Sequence, residues 1–141
     1  MNVQIELPIS SIMTTKLITL DVNDGLDKAE HLFKKYKIRH IPVIEKDKII
    51  GMISMNDLLR ISFADGAYRE EENISSSIYD MFTLKQLMIG NLETVTPDTT
   101  IKEVAELLVQ REFHSLPVVE NGTLKGMVTT TDLIKYLLKH C

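Results

Sequence analysis

Apolar positions recur along this chain with two different spacings. Leu26, Ala29, Leu32, Phe33 and Tyr36 lie three and four residues apart, which places them on one face of a helix. The same spacing returns in Ile101, Val104, Ala105, Leu107 and Leu108, behind a Thr100–Glu103 pair that reads as a capping box. Short apolar runs surround these helices: Leu17–Leu20, Ile41-Pro42-Val43-Ile44, Ile49–Ser54, Leu116-Pro117-Val118-Val119 and Leu124–Thr129. They predict buried strands. The turns between the later runs are Lys46-Asp47-Lys48 and Asn121-Gly122, the second a strong hairpin signal. Asn56–Ile61 and Thr131–His140 predict closing helices, the latter with Asp132 in its first turn. Strand, helix, strand, strand, helix is therefore predicted twice. The fold class is α/β in the mixed, α+β sense, with two small sheets and two helices packed on each.

The two passages are copies. Ile12–Arg60 superposes on Leu87–Lys135 with a constant shift of 75 and no gap, and eleven of those 49 positions are identical. Chance would give roughly three. The identities include Met13/Met88, Pro42/Pro117, Val43/Val118, Gly51/Gly126, Met52/Met127 and Asp57/Asp132. The predicted division is residues 1–61 for the first repeat, 62–86 for a linker and 87–141 for the second repeat. Each repeat is short for a stable core of its own, so the two are expected to pack into one body. The linker holds Gly66, the acidic run Glu70-Glu71-Glu72 and the polar stretch Asn73–Ser77, and reads as a solvated connection.

Composition narrows the function. The chain has 141 residues, 44% hydrophobic and 26% charged, with a net charge of -4. The acidic balance disfavours nucleic acid as a partner. No apolar run approaches the roughly 18–20 residues that span a bilayer, so no membrane partner is expected. The start Met1-Asn2-Val3-Gln4-Ile5-Glu6 lacks the features of a signal peptide, and the expected location is cytoplasmic. The single cysteine, Cys141, excludes an intrachain disulfide and a cysteine-rich zinc site. His31, His40, His114 and His140 show no metal-ligand spacing, so no metal is expected. No nucleophile–base set, Walker loop or dinucleotide fingerprint is present, and no catalytic residues or enzyme activity are expected.

The candidate chemistry sits where the last strand of each repeat meets its helix. The junctions are Gly51-Met52-Ile53-Ser54-Met55-Asn56-Asp57 and Gly126-Met127-Val128-Thr129-Thr130-Thr131-Asp132. Glycine lets a ligand or backbone approach. The hydroxyl of Ser54 or Thr129 lies at a helix N-terminus, where free N–H groups and the helix dipole favour phosphate. The aspartate can accept two hydrogen bonds from a ribose diol. The plainer reading is that Ser or Thr is an N-cap and Asp complements the dipole. Its occurrence twice, in register with glycine, favours the ligand.

These residues carry a resemblance. Ile12-Met13 and Leu87-Met88, His40-Ile41-Pro42-Val43 and Ser115-Leu116-Pro117-Val118, and the two Gly-x-x-Ser/Thr-x-x-Asp ends make each repeat similar to a CBS domain, the repeat of cystathionine beta-synthase. Two in tandem resemble a Bateman module, whose sheets pack about a pseudo-twofold axis. The resemblance implies clefts between repeats that bind adenosine compounds: AMP, ADP, ATP or S-adenosylmethionine. No cofactor is required. It also implies a homodimer.

Carried over by position, one cleft would use Thr129 and Asp132, with Met127 beside them, and Met13, Thr14, Ile18, Ile38, Arg39 and His40. Asp132 would hold ribose, Thr129 would face phosphate, Ile18 and Ile38 would flank adenine, and Arg39 and His40 would neutralise phosphate. The second cleft would use Ser54 and Asp57 with Ile89, Phe113 and His114. There Glu93 replaces Ile18, and a carboxylate at an adenine wall must be solvated or paired. The Asp132 cleft is therefore expected to bind the nucleotide more tightly. The implied function is a stand-alone regulatory sensor. No output domain is expected beyond Lys135, so an effector protein is expected to read the ligand. The alternative is a dimerisation or scaffold module with degenerate clefts, acting through protein partners at the linker.

Overall fold

The computed structural model of the chain describes residues 3–66, 79–111 and 114–141. The acidic run Glu70–Glu72, the Asn73–Ser77 stretch and Phe113 lie outside the described residues. The fold is mixed α+β, and the chain falls into two compact units. The repeats are units of sequence, and the structure groups the residues differently. One unit is Ile18–Leu92; the other joins the residues up to Leu17 with Glu93–Cys141.

The Ile18–Leu92 unit contains β1 (Leu20–Asp21), α1 (Leu26–Tyr36), β2 (His40–Glu45), β3 (Lys48–Ser54), α2 (Met55–Gly66) and a short α3 (Leu84–Leu87). β1 runs parallel to β2 and β2 antiparallel to β3. Leu26, Ala29 and Phe33 form the buried stripe of α1 and meet Leu20, Ile41, Val43 and Ile53 of the strands. Tyr36, expected on that stripe, is instead 44% exposed, with the Lys35 ammonium 5.2 Å from its ring centre. The helix is ending there: Lys37 turns left-handed at φ 53 and terminates α1. The first strand also starts later than the apolar run Leu17–Leu20. Pairing begins only where Leu20 comes opposite Val43, and Leu17 belongs to the other unit.

The β2–β3 loop has two residues, Lys46 and Asp47, because Lys48 already pairs with Glu45. Both loop residues have positive φ, 49 and 68, as a hairpin with this twist demands. An L-residue held left-handed is strained by roughly 1–2 kcal/mol, with aspartate among the more tolerant. Asp47→Gly is therefore expected to raise the stability by about 0.5 kcal/mol, after glycine's greater loss of chain entropy is subtracted. The midpoint of urea unfolding would register it.

The second unit contains α4 (Ile101–Arg111), β4 (Ser115–Glu120), β5 (Thr123–Thr129) and α5 (Thr130–His140). Thr100 and Glu103 form the expected capping box, 3.1 Å from the Glu103 amide to the Thr100 hydroxyl and 3.3 Å for the return bond. The β4–β5 hairpin repeats the β2–β3 hairpin in detail. Its turn is Asn121-Gly122, φ 53 and 83, and the register slips at Val118/Val119 as it does at Val43/Ile44.

One predicted strand is reduced here. Val95, the counterpart of Leu20, makes a single parallel bridge to Val118 and no strand follows. The cause is local. In the first unit the Val22 amide donates to Ile44 at 2.9 Å, whereas its counterpart is Pro97, which has no N–H to extend the ladder.

The N-terminal arm completes this unit. Ile9 is fully buried with Val104, Leu116, Val118 and Val128. The carbonyls of Leu7 and Ile5 accept from the amides of Ile101 and Lys102, both at 2.9 Å. These are first-turn N–H groups of α4 that no residue within the helix can satisfy. The Tyr136 hydroxyl bonds both the amide and the carbonyl of Gln4, at 3.0 and 2.9 Å. Among the described residues no helix is long and apolar enough to cross a membrane.

Candidate functional site

Two carboxylates occupy the first turns of α2 and α5, and each is fixed by the hydroxyl residue that precedes its helix. In the second unit the Thr129 hydroxyl accepts from the Asp132 amide at 3.1 Å, and the Asp132 carboxylate accepts from the Thr129 amide at 2.9 Å. In the first unit Ser54 and Asp57 make the same reciprocal pair, at 3.2 and 2.8 Å, and the Ser54 hydroxyl also donates to Asp57 at 2.9 Å. The junctions are thus helix caps in form. A cap of this kind leaves carboxylate lone pairs over, and what takes those lone pairs differs between the units.

Thr14 reaches Asp132 from the N-terminal arm. Its amide donates to the Met127 carbonyl at 2.7 Å and its carbonyl accepts from the Met127 amide at 2.9 Å. That pairing aims the hydroxyl at both carboxylate oxygens, 3.1 and 3.3 Å away. Gly126 permits the approach. A Cβ there would lie 2.9 Å from the Thr14 carbonyl oxygen and 2.7 Å from the Met13 sulfur. The equivalent pairing in the first unit joins Ile89 to Met52, at 3.0 and 2.9 Å, over Gly51. Ile89 has no hydroxyl. There the Arg60 guanidinium takes the free Asp57 oxygen, and Asp57 is 4% exposed.

Met13, Thr14, Met127, Thr129 and Asp132 are thus together in one unit. Ser54, Asp57 and Ile89 are together in the other, which also holds Ile18, Ile38, Arg39 and His40. Arg39 and His40 are exposed at the start of β2; the Arg39 carbonyl accepts from the Met55 amide, and His40 lies opposite Ser54. His114 is exposed, and its carbonyl accepts from the Thr130 amide at 3.0 Å. Glu93 is paired, with the Arg111 guanidinium 3.2 Å away.

Sequence reasoning passed over Arg60 and Lys135. Each stands three residues beyond its aspartate, a spacing that faces it along the helix and could have been read. Lys135 makes no ion pair with Asp132. Instead it lines, with Asp132, Ser11 and Lys139, a groove of about 340 Å³ between the arm and α5. The site therefore offers a half-buried carboxylate, hydroxyls on either side of it and lysines one and two turns along.

Known proteins are similar to this chain in sequence and in fold. The CBS domain family matches residues 9–64 and 84–139. The inosine-5'-monophosphate dehydrogenase of Halalkalibacterium halodurans is 36% identical over 111 residues, which cover 77% of this chain and 20% of the dehydrogenase. The chain thus spans about a fifth of the length of that relative. The solved structure of AcuB from Vibrio cholerae is 26% identical, with 95% of this chain and 92% of that one covered at a TM-score of 0.80. The structure of CBSX2 in complex with AMP shares the fold at a TM-score of 0.79, with 24% identity and 95% and 98% coverage. With both repeats matched, the chain belongs to the CBS domain family and carries two CBS domains in tandem.

Proposed function

We propose that this chain is a regulatory module that binds an adenosine nucleotide, with Asp132 holding the ribose. The observation that carries this reading is the half-buried Asp132 carboxylate at the N-terminus of α5, capped by Thr129 and lining the same groove as Lys135. An acceptor-only carboxylate suits a vicinal diol. The amides that open α5 and the nearby Lys135 suit the phosphate. The AMP complex of a protein with the same fold supports adenosine as the ligand class. Asp57 is the poorer site, because Arg60 and Ser54 already hold it and it is almost fully buried. The ligand acts by its differential affinity for two arrangements of the module, which works as a homodimer read by an effector protein.

The test is calorimetric titration with AMP, ADP, ATP and S-adenosylmethionine. Asp132→Asn keeps the size of the side chain and an acceptor for the Thr129 amide. It is expected to weaken nucleotide binding about tenfold to a hundredfold, the worth of hydrogen bonds to a charged group. Asp57→Asn is expected to leave the tighter site unchanged. Loss of binding in Asp57→Asn with retention in Asp132→Asn would reverse the assignment.

A further inference from the structure

We infer that Thr14 is a built-in placeholder for the ribose: its hydroxyl occupies the Asp132 carboxylate and must be displaced when the nucleotide binds. The inference rests on the reading of Asp132 as the ribose site. Three observations lead to it.

The first is geometry. One Thr14 proton is shared between two oxygens at 3.1 and 3.3 Å, both longer than the usual 2.7–2.8 Å of a hydroxyl bond. A shared, stretched bond satisfies the carboxylate only in part. A vicinal diol brings two protons and can make one short bond to each oxygen.

The second is the contrast between the units. Superposed by the repeat, Thr14 corresponds to Ile89 and Arg60 to Lys135. The buried Asp57 is held by a guanidinium on its own helix, a charge-assisted contact that a neutral diol does not replace. Asp132 is held by a neutral hydroxyl that belongs to another segment, the arm, and Lys135 leaves it alone.

The third is the exposure of the Thr14 side chain. A displaced hydroxyl there passes to water and keeps a partner. Displacement therefore forfeits little, and the backbone pairing of Thr14 with Met127 does not have to break. Thr14 thus sets the affinity of the site without being part of what recognises the base or the phosphate.

Thr14→Val tests this. Valine keeps the β-branch and the backbone pairing and removes only the hydroxyl. With AMP as the probe in calorimetry, Thr14→Val is expected to bind about twofold to threefold more tightly than the wild type, the low end of the net worth of one hydrogen bond, as a stretched and exposed bond requires. Thr14→Ser, which restores the hydroxyl, is expected to return the affinity to that of the wild type. Unchanged or weaker binding by Thr14→Val, alongside loss of binding in Asp132→Asn, overturns the placeholder and leaves the ribose assignment standing. Failure of AMP, ADP and ATP to bind the wild type and Thr14→Val alike overturns the ribose assignment, and the placeholder with it.

Discussion

Gly126→Val is expected to unseat the N-terminal arm from β5 and to destabilise the protein by about 1–3 kcal/mol, the range for side chains forced into filled space. The new Cβ would stand 2.7 Å from the Met13 sulfur and 2.9 Å from the Thr14 carbonyl oxygen. The methionine can swing aside. The carbonyl cannot, because it accepts the Met127 amide at 2.9 Å. Relief comes only by parting Thr14 from Met127, which also draws the Thr14 hydroxyl away from Asp132. Hydrogen exchange at the Thr14 and Met127 amides should accelerate together, and urea unfolding should shift to lower concentration. Slow exchange at both amides in a stably folded variant would contradict the close approach.

Phe33→Ala is expected to cost about 3–5 kcal/mol, the range for truncating a buried aromatic ring. Phe33 is 1% exposed and is the largest fully buried side chain of α1. Its ring fills the space between α1 and the strands that carry Ile41, Val43 and Ile53. A loss of that size is a large part of the 5–15 kcal/mol by which domains are usually stable. Val109→Ala is the matched control on α4. Val109 is 78% exposed, so its truncation should change stability by no more than about 0.5 kcal/mol. Equal effects of the two substitutions on the unfolding midpoint would refute the burial pattern.

Much of this architecture was legible because two copies of one pattern corroborate each other. The periodicity of Leu26–Phe33 and Ile101–Leu108, the Thr100–Glu103 box and the Asn121-Gly122 turn are local features, and local features survive into the fold. What the pattern missed lies in single donors and helix ends that hydrophobic periodicity does not register. Val95 fails to extend into a strand because Pro97 lacks a donor at a position that only the pairing of Val22 with Ile44 defines. Tyr36 has the right spacing for the core but stands at the turn where α1 ends.

At the site, the Ser/Thr-x-x-Asp junctions were readable from helix-capping rules alone. The Arg60–Asp57 contact was readable in principle from its spacing on one helix. The resemblance puts Thr14 and Asp132 in one cleft, but neither capping rules nor spacing could give the hydrogen bond between them. The two residues are 118 positions apart, and the backbone pairing of Thr14 with Met127 is what aims one at the other.

The grouping of residues into units bears on biosynthesis. Gln4 and Tyr136, bonded to each other, are 132 positions apart. The Ile18–Leu92 unit has all its residues once Leu92 is made, and domains commonly fold as they emerge from the ribosome. The other unit needs residues from before Ile18 and from after Leu92. Ile9, fully buried in the finished protein, must wait for β4, β5 and α5 before it has a core to enter. Closing so long a loop slows folding more than it weakens the product. A nascent chain released before Thr130 would carry Ile9 and the rest of the arm with no α5 to meet them, exposed apolar surface of the kind that chaperones bind.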